Sequence, residues 1–160
     1  MCTIGTLRFG SDEYLLFKNK DFGRDYFDDQ IFLSEDVLGI QGISTWANSD
    51  SNQDQFSGFS IGANRYGLFC CDANVREEPP NGRNYDLLTE IALREGTDVE
   101  SAIDAVYRAV ERHSYWCSNL VLVDGDTSAA IEVHGNEIAI ERHTESVSYT
   151  HLTLPTILLV

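Results

Sequence analysis

The sequence is short of basic residues and has no long apolar run. Eleven lysines and arginines stand against 26 aspartates and glutamates, for a formal net charge of −15 at pH 7. Nucleic acids and anionic membranes both attract basic surfaces, so this balance argues against either as a partner. No stretch approaches the ~18 apolar residues of a membrane helix, and the first residues lack the pattern of a secretory signal. We therefore expect a soluble, cytoplasmic protein whose partner is a small molecule.

Signals for cofactors are missing as well. The four cysteines and four histidines show no metal-ligand spacing, and neither a Walker loop nor a dinucleotide glycine pattern occurs. We expect no metal and no other cofactor. Four cysteines are too few for a disulfide scaffold of this length, and we interpret Cys70, Cys71 and Cys117 as core thiols in a reducing cytoplasm.

The fourth cysteine, Cys2, stands in a reactive position. If Met1 is removed, Cys2 brings a thiol and an α-amino group together at the N-terminus. A thiolate is a nucleophile, and α-amino groups titrate near ~7.7–8.0, so a useful fraction can accept a proton at neutral pH. One residue then supplies both nucleophile and general base. The alternative is a buried structural thiol, because free cysteine behaves as a small hydrophobe.

Four segments support the reactive role of Cys2. They are the hairpin start Met1-Cys2-Thr3, then Lys18-Asn19-Lys20-Asp21, then Gly62-Ala63-Asn64-Arg65-Tyr66-Gly67-Leu68 with Asn74 beyond it, and Ser118-Asn119-Leu120. In kind and order they resemble the N-terminal nucleophile (Ntn) hydrolases. The closest likeness is to the group of choloylglycine hydrolase, penicillin V acylase and acyl-coenzyme A:penicillin acyltransferase. The resemblance covers about residues 2–143.

The resemblance implies cleavage of a non-peptide carbon–nitrogen bond in a linear amide, with no cofactor. Cys2 would attack the carbonyl and form an acyl-enzyme, and Asp21 would hold its amino group by a hydrogen bond. Lys18 would stabilise the thiolate. Asn74 would donate to the oxyanion, and Asn119 would orient the N-terminus and the substrate carbonyl.

The end of the second strand departs from an ideal site. Bile-salt members of the group often have Arg where this chain has Lys18, and lysine lacks the planar donor fork. Residues 18 and 21 of an ideal strand point to opposite faces, so a bend before Asp21 is needed. Without the other segments, Lys18, Lys20 and Asp21 would be interpreted as a solvated strand end.

Other functions stay open on sequence grounds. The same acyl-enzyme could be intercepted by an amine, which would make the protein an acyltransferase. A dipeptidase or a glutamine amidotransferase uses the same nucleophile logic. From a different class, the chain could be a non-catalytic α+β domain that binds a small acyl ligand. A homo-oligomer is compatible with the sequence, which does not fix the oligomeric state.

The order of predicted elements is strands, two helices, then strands. The helices are predicted at 85–95 and, for the second, from a capping box of Thr97 and Glu100 through an apolar face ending at Val110. Strands are predicted at 2–9, 14–20, 30–33, 37–43, 57–63, 67–73, 120–123, 129–133 and 137–140. This order fits the α+β class and about half of the four-layer αββα sandwich that the resemblance implies.

The C-terminal residues differ in composition from the rest. No Asp, Glu, Lys or Arg occurs from Ser146 to Val160, and residues 147–156 resemble the translation of a sequencing-library adapter. A natural apolar strand is the alternative, against which Pro155 argues. We therefore expect residues 2–146 to be the N-terminal part of a single Ntn-hydrolase domain, and residues 147–160 to be a non-native tail.

Overall fold

The structure is a computed structural model that describes residues 2–10, 13–20, 29–41 and 58–143, together with the backbone of residues 147–150. Within these ranges the chain forms ten strands and two helices. Their bounds are β1 Thr3–Phe9, β2 Glu13–Asn19, β3 Gln30–Leu33, β4 Val37–Gln41, β5 Ile61–Asn64, β6 Phe69–Arg76, α1 Asp86–Glu95, α2 Val99–Arg112, β7 Tyr115–Val123, β8 Ser128–Gly135, β9 Glu137–His143 and β10 Val147–Thr150.

The strands form two antiparallel sheets. One has the order β10-β1-β2, and the other runs β3-β4-β5-β6-β7-β8-β9. Helix α1 packs on β4, β5 and β6, and α2 packs on β7, β8 and β9, while β1 and β2 pack against β6 and β7. The described part therefore has one helical layer and two sheets. This confirms the predicted α+β class, and the three layers are those expected of about half an αββα sandwich.

Alternation along β6 and β7 divides the buried side chains into two groups. Cys70, Leu120 and Leu122 belong to the large apolar core that also contains the buried faces of both helices. Cys71 and Val121, one position along, belong to a small cluster against β1 and β2. Successive side chains of a strand point to opposite faces, so the helices and the three-stranded sheet cover opposite sides of the larger sheet. We call the small side the inter-sheet face.

The predicted thiol positions agree with this division. Cys70, Cys71 and Cys117 are all buried and free of disulfides, as predicted. Cys70 and Cys71 lie on opposite faces of β6 because they are neighbours in a strand. The reducing compartment that we expected from them stays a prediction.

The start of α2 differs from the prediction. The N-cap is Asp98, whose side chain accepts a hydrogen bond from the backbone N–H of Ser101, and the Ser101 hydroxyl closes the capping box. The prediction of a box formed by Thr97 and Glu100 was therefore wrong by one residue. Aspartate and threonine both cap helices, so composition alone does not separate the two registers. The predicted apolar face of α2 is buried throughout.

The backbone of β10 pairs with β1, with Thr3 opposite Thr150. Residues 151–160 lie outside the described residues. The foreign origin that we infer for residues 147–160 concerns the coding sequence and stays a prediction. In the part of the chain that the structure describes, neither helix is long and apolar enough to cross a membrane.

Candidate active site

Cys2 lies directly before β1, on the inter-sheet face. Its side chain belongs to the small cluster with Ile4, Cys71, Ala73 and Val121, and the residue is only 7% exposed. The cluster combines the small side chains of Cys2, Cys71 and Ala73 with two branched aliphatic ones. Cys2 is therefore held between the two sheets at the end of the three-stranded one.

Lys18 lies on the same face as Cys2. The register of the first hairpin places Lys18 opposite Ile4, and Cys2 precedes Ile4 by two residues, so all three side chains share one face. Cys2 and Lys18 are diagonal neighbours across the strand pair, a separation that a long side chain can span. The sequence resemblance linked these two residues, and the hairpin register brings them together.

The Lys18 ammonium is part of a buried ion pair. Its Nζ donates to Asp72 Oδ1 at 2.6 Å and to the Ser60 carbonyl oxygen at 3.0 Å. The other carboxylate oxygen, Asp72 Oδ2, accepts from the Thr89 hydroxyl at 2.7 Å. The side chains of Lys18 and Asp72 are 6% and 0% exposed. The pair thus connects β2, the segment before β5, β6 and α1.

Burial and neighbouring charges have opposite effects on the pKa values of Lys18 and Asp72. Burial lowers the pKa of Lys18, but Asp72 and the nearby Asp86 oppose it, and the net result is a raised pKa. Burial raises the pKa of Asp72, and the Lys18 charge and hydrogen bond oppose that rise. We infer that Lys18 stays charged and that Asp72 supplies the charge that keeps it so.

A second carboxyl group lies beside Asp72 at the start of α1. Burial and the Asp72 carboxylate raise the pKa of Asp86 to about 7, while Lys18 and Lys20 oppose the rise. The Asp86 backbone oxygen also accepts from the Phe59 N–H at 3.0 Å. These contacts fix the segment that carries Ser60 against the start of α1.

That close approach depends on a glycine. Gly58 has φ +128°, and a Cβ there would overlap the backbone of Asp86. Only glycine adopts this conformation without strain. Gly58 therefore lets the chain pass close to α1 and bring the Ser60 carbonyl to Lys18.

The two asparagines take different positions. Asn119 on β7 pairs with Ala73 of the Cys2 cluster, which places it on the inter-sheet face. Asn74 alternates to the face of β6 that carries Asp72, and its Oδ1 is buried without a hydrogen-bond partner among the described residues. The structure thus brings Asn119 to the face of Cys2 and Lys18, and puts Asn74 on the opposite face of β6.

Asp21, the remaining predicted residue, lies outside the described residues. Its neighbour Lys20 donates to both carboxylate oxygens of Asp29, at 2.7 and 2.8 Å. The bend predicted before Asp21 also lies in the undescribed segment. The roles that the resemblance implies for all five residues stay predictions.

Sequence reasoning missed Asp72, Thr89, Asp86 and the Ser60 carbonyl. One signal was available for Asp72, because it is the single charged residue within the apolar run 69–75. A charged residue in a buried strand is rare unless it is paired. Thr89 and Asp86 gave no comparable signal, since polar residues are ordinary near a helix start.

No group of three or more His, Cys, Asp or Glu side chains suited to a metal ion occurs among the residues that the structure describes. Of the predicted site residues, those that share the inter-sheet face with the Cys2 thiol are Lys18 and Asn119.

With these positions established, the fold is that of the Ntn hydrolases. The structure of a cysteine-to-alanine mutant of conjugated bile acid hydrolase from Clostridium perfringens matches with a TM-score of 0.57 and 15% identity, covering 89% of this chain and 51% of that one. At this identity the likeness establishes the fold alone. The chain spans about half the length of the structure it matches.

Two further structures match at lower scores. Penicillin V acylase from Agrobacterium tumefaciens has a TM-score of 0.43 and 13% identity, covering 91% of this chain and 43% of that one. An arginine-to-leucine variant of the Clostridium perfringens conjugated bile acid hydrolase has 0.41 and 12%, covering 89% and 42%. No protein-family model matches the sequence, and no curated protein matches it either.

Proposed function

We propose that this chain carries the nucleophile half of an amide hydrolase that cleaves a non-peptide carbon–nitrogen bond through Cys2. One observation carries the proposal. A buried cysteine at the start of the first strand shares the inter-sheet face with a buried lysine in a fold matched by a bile acid hydrolase. The substrate class is a linear or conjugated amide with an acyl group.

The proposed reaction has two steps. The Cys2 thiolate attacks the amide carbonyl, a carbon–sulfur bond forms, and the carbon–nitrogen bond breaks. The α-amino group of Cys2, freed by removal of Met1, takes the thiol proton and passes it to the leaving amine. Water then attacks the thioester, releasing the acid and restoring the thiol.

The other side chains stabilise charge along this path. Two donors of the Lys18 ammonium are used by Asp72 and Ser60, and the remaining N–H stabilises the Cys2 thiolate. Asn74 donates to the oxyanion, which favours the transition state. This role of Asn74 rests on the sequence resemblance, because its strand position lies on the face of β6 opposite Cys2.

Asn119 and Asp21 complete the proposal. Asn119 orients the substrate carbonyl, which its position on the inter-sheet face supports. Asp21 holds the Cys2 amino group, a role that rests on the sequence resemblance. Acyl transfer to an amine is the close variant, because an amine can intercept the same thioester in place of water.

The test compares Cys2 variants on a panel of acyl amides, dipeptides and glutamine. Cys2→Ala should abolish turnover, and Cys2→Ser should leave only weak activity, because the hydroxyl is a poorer nucleophile. Mass spectrometry of the wild type with substrate should show a covalent adduct on Cys2. Full turnover in Cys2→Ala would refute the mechanism.

Cys117→Ala is the matched control, because Cys117 is a buried thiol at another place in the fold. It should keep the wild-type rate. Saturable binding of an acyl amide without turnover or adduct would favour the non-catalytic binding domain.

A further inference from the structure

Asp72 is a fully buried carboxylate with a partner for each of its oxygens. Oδ1 faces the Lys18 ammonium from the three-stranded sheet, and Oδ2 faces the Thr89 hydroxyl from α1. With one oxygen held from each side, the carboxylate cannot rotate without losing a hydrogen bond. The third group, the Ser60 carbonyl, accepts from Lys18.

We propose that Asp72, held by Thr89, is a positioning residue that keeps the Lys18 ammonium charged and fixed, so that Lys18 can act on Cys2. The inference rests on the proposed function, in which Lys18 stabilises the Cys2 thiolate. It adds a residue that touches neither substrate nor nucleophile and acts through Lys18.

The fixed position of Lys18 follows from the number of elements that hold it. Lysine has a flexible four-carbon stem and a compact charge, so a single contact would leave its ammonium free to move. Here Nζ is held by a β6 carboxylate and by the backbone before β5. The nearby Lys20–Asp29 pair differs, because both oxygens of Asp29 turn to the one ammonium and its side chains are 15% and 28% exposed.

The charge of Lys18 depends on Asp72 because the site is buried. Desolvation favours the neutral amine, and an adjacent carboxylate favours the ammonium. Among the described residues, the charged and titratable groups that act on the pKa of Lys18 are Asp72, Asp86 and the Cys71 thiol. Of these, Asp72 is the one in direct contact, so its removal should release or neutralise Lys18.

The test measures the rate of Cys2 alkylation by iodoacetamide against pH, with the modified peptide identified by mass spectrometry. In Asp72→Asn, loss of the Lys18 charge should raise the half-maximal pH by about 1. The direction of this change in the half-maximal pH distinguishes two explanations. If Asp72 acted on Cys2 only as a nearby negative charge, its removal would lower the half-maximal pH, and a lowered or unchanged value would overturn the proposal.

A second pair of variants keeps the test decisive if Asp72→Asn does not fold, as judged by near-ultraviolet circular dichroism. Thr89→Val removes the hydroxyl and leaves the carboxylate charge, so the half-maximal pH should rise by a smaller amount. Thr89→Ser restores the hydroxyl and should restore the wild-type value. An unchanged profile in Thr89→Val would overturn the role of Thr89 in holding Asp72. Glu111→Gln, an exposed acid-to-amide change on α2, is the control and should match the wild type.

The alkylation profile does not require turnover, so the two proposals fail separately. An upward change of the half-maximal pH in Asp72→Asn, in a protein whose wild type hydrolyses no amide, would support the positioning role and count against the proposed function. Amide hydrolysis with an unaltered alkylation profile in Asp72→Asn would support the function and refute the positioning role. With an active chain, Asp72→Asn should reduce kcat about tenfold with little change in KM, since an effect through Lys18 acts on the reacting groups.

Discussion

The two faces of β6 and β7 bury different sets of side chains. The helix side is filled by large aliphatic side chains, among them Leu88, Leu120 and Leu122, all fully buried. The inter-sheet face beside Cys2 buries a smaller cluster, in which Cys71 and Ala73 accompany the aliphatic side chains of Ile4 and Val121. A side chain such as Leu gains more from burial than Ala or Cys. Burial of apolar side chains therefore contributes more stability on the helix side than on the inter-sheet face.

Asp72 forms a contact between the two sides of the larger sheet. It alternates to the helix side of β6, yet its carboxylate meets Lys18 from the three-stranded sheet. A buried charge pair of this kind contributes little net stability compared with apolar residues of similar size. Its presence in the core is better explained by what it does to Lys18 than by its effect on folding.

The largest expected effect on stability comes from removing one partner of the Lys18–Asp72 pair. Lys18→Met should lower the free energy of unfolding by about 3–5 kcal/mol, because it leaves a buried carboxylate without its counter-charge. The double variant Lys18→Met/Asp72→Leu should recover most of that loss. Urea denaturation at pH 7 measures both.

Two controls sharpen the contrast. Lys20→Met breaks a more exposed pair and should cost about 1 kcal/mol or less; an equal cost for Lys18→Met would contradict the distinction. Leu88→Ala should cost about 2–5 kcal/mol through a cavity on the helix side. It should leave the pH profile of Cys2 alkylation unchanged, because it touches only the apolar core.

A second effect on stability is expected from titration of Asp86. Its pKa is raised from 3.8 to about 7 by burial and by Asp72, so between these values the folded state binds a proton that the unfolded state has lost. The stability that this group contributes is therefore fully present at low pH. It falls by about 1 kcal/mol for each pH unit between the two pKa values and is lost as pH rises through 7.

Asp86→Asn should remove this slope. Urea denaturation at pH 5 and at pH 7.5 measures it, and the variant should gain relative to the wild type at the higher pH. The groups that face Asp86, namely Asp72, Lys18 and Lys20, remain in the variant. A wild-type slope that persists in Asp86→Asn would assign the titration to another group.

Local sequence patterns predicted the strands and helices, but they could not predict contacts between residues that are far apart in sequence. The β1–β2 hairpin and the buried face of α2 follow from periods of 2 and 3.6 residues, which short windows contain. Lys18 and Asp72 are 54 residues apart in sequence, and their contact depends on how one sheet packs on the other. No short window of the sequence contains that packing, so the pairing of Lys18 with Asp72 could not be predicted from it.

The smallest expected effect on stability is at the start of α2. Variants there distinguish an N-cap at Asp98, as in the structure, from one at Thr97, as the sequence predicts. Asp98→Ala should lower the free energy of unfolding by about 1 kcal/mol, because the side chain accepts from the Ser101 N–H at 2.8 Å. Hydrogen bonds from Ser101 lower the pKa of Asp98, so this contribution should be present at neutral pH and decline as the carboxylate is protonated. Thr97→Ala should have a smaller effect at every pH. Equal losses in the two variants, or a larger loss for Thr97→Ala, would return the cap to the residue that the sequence pattern predicted.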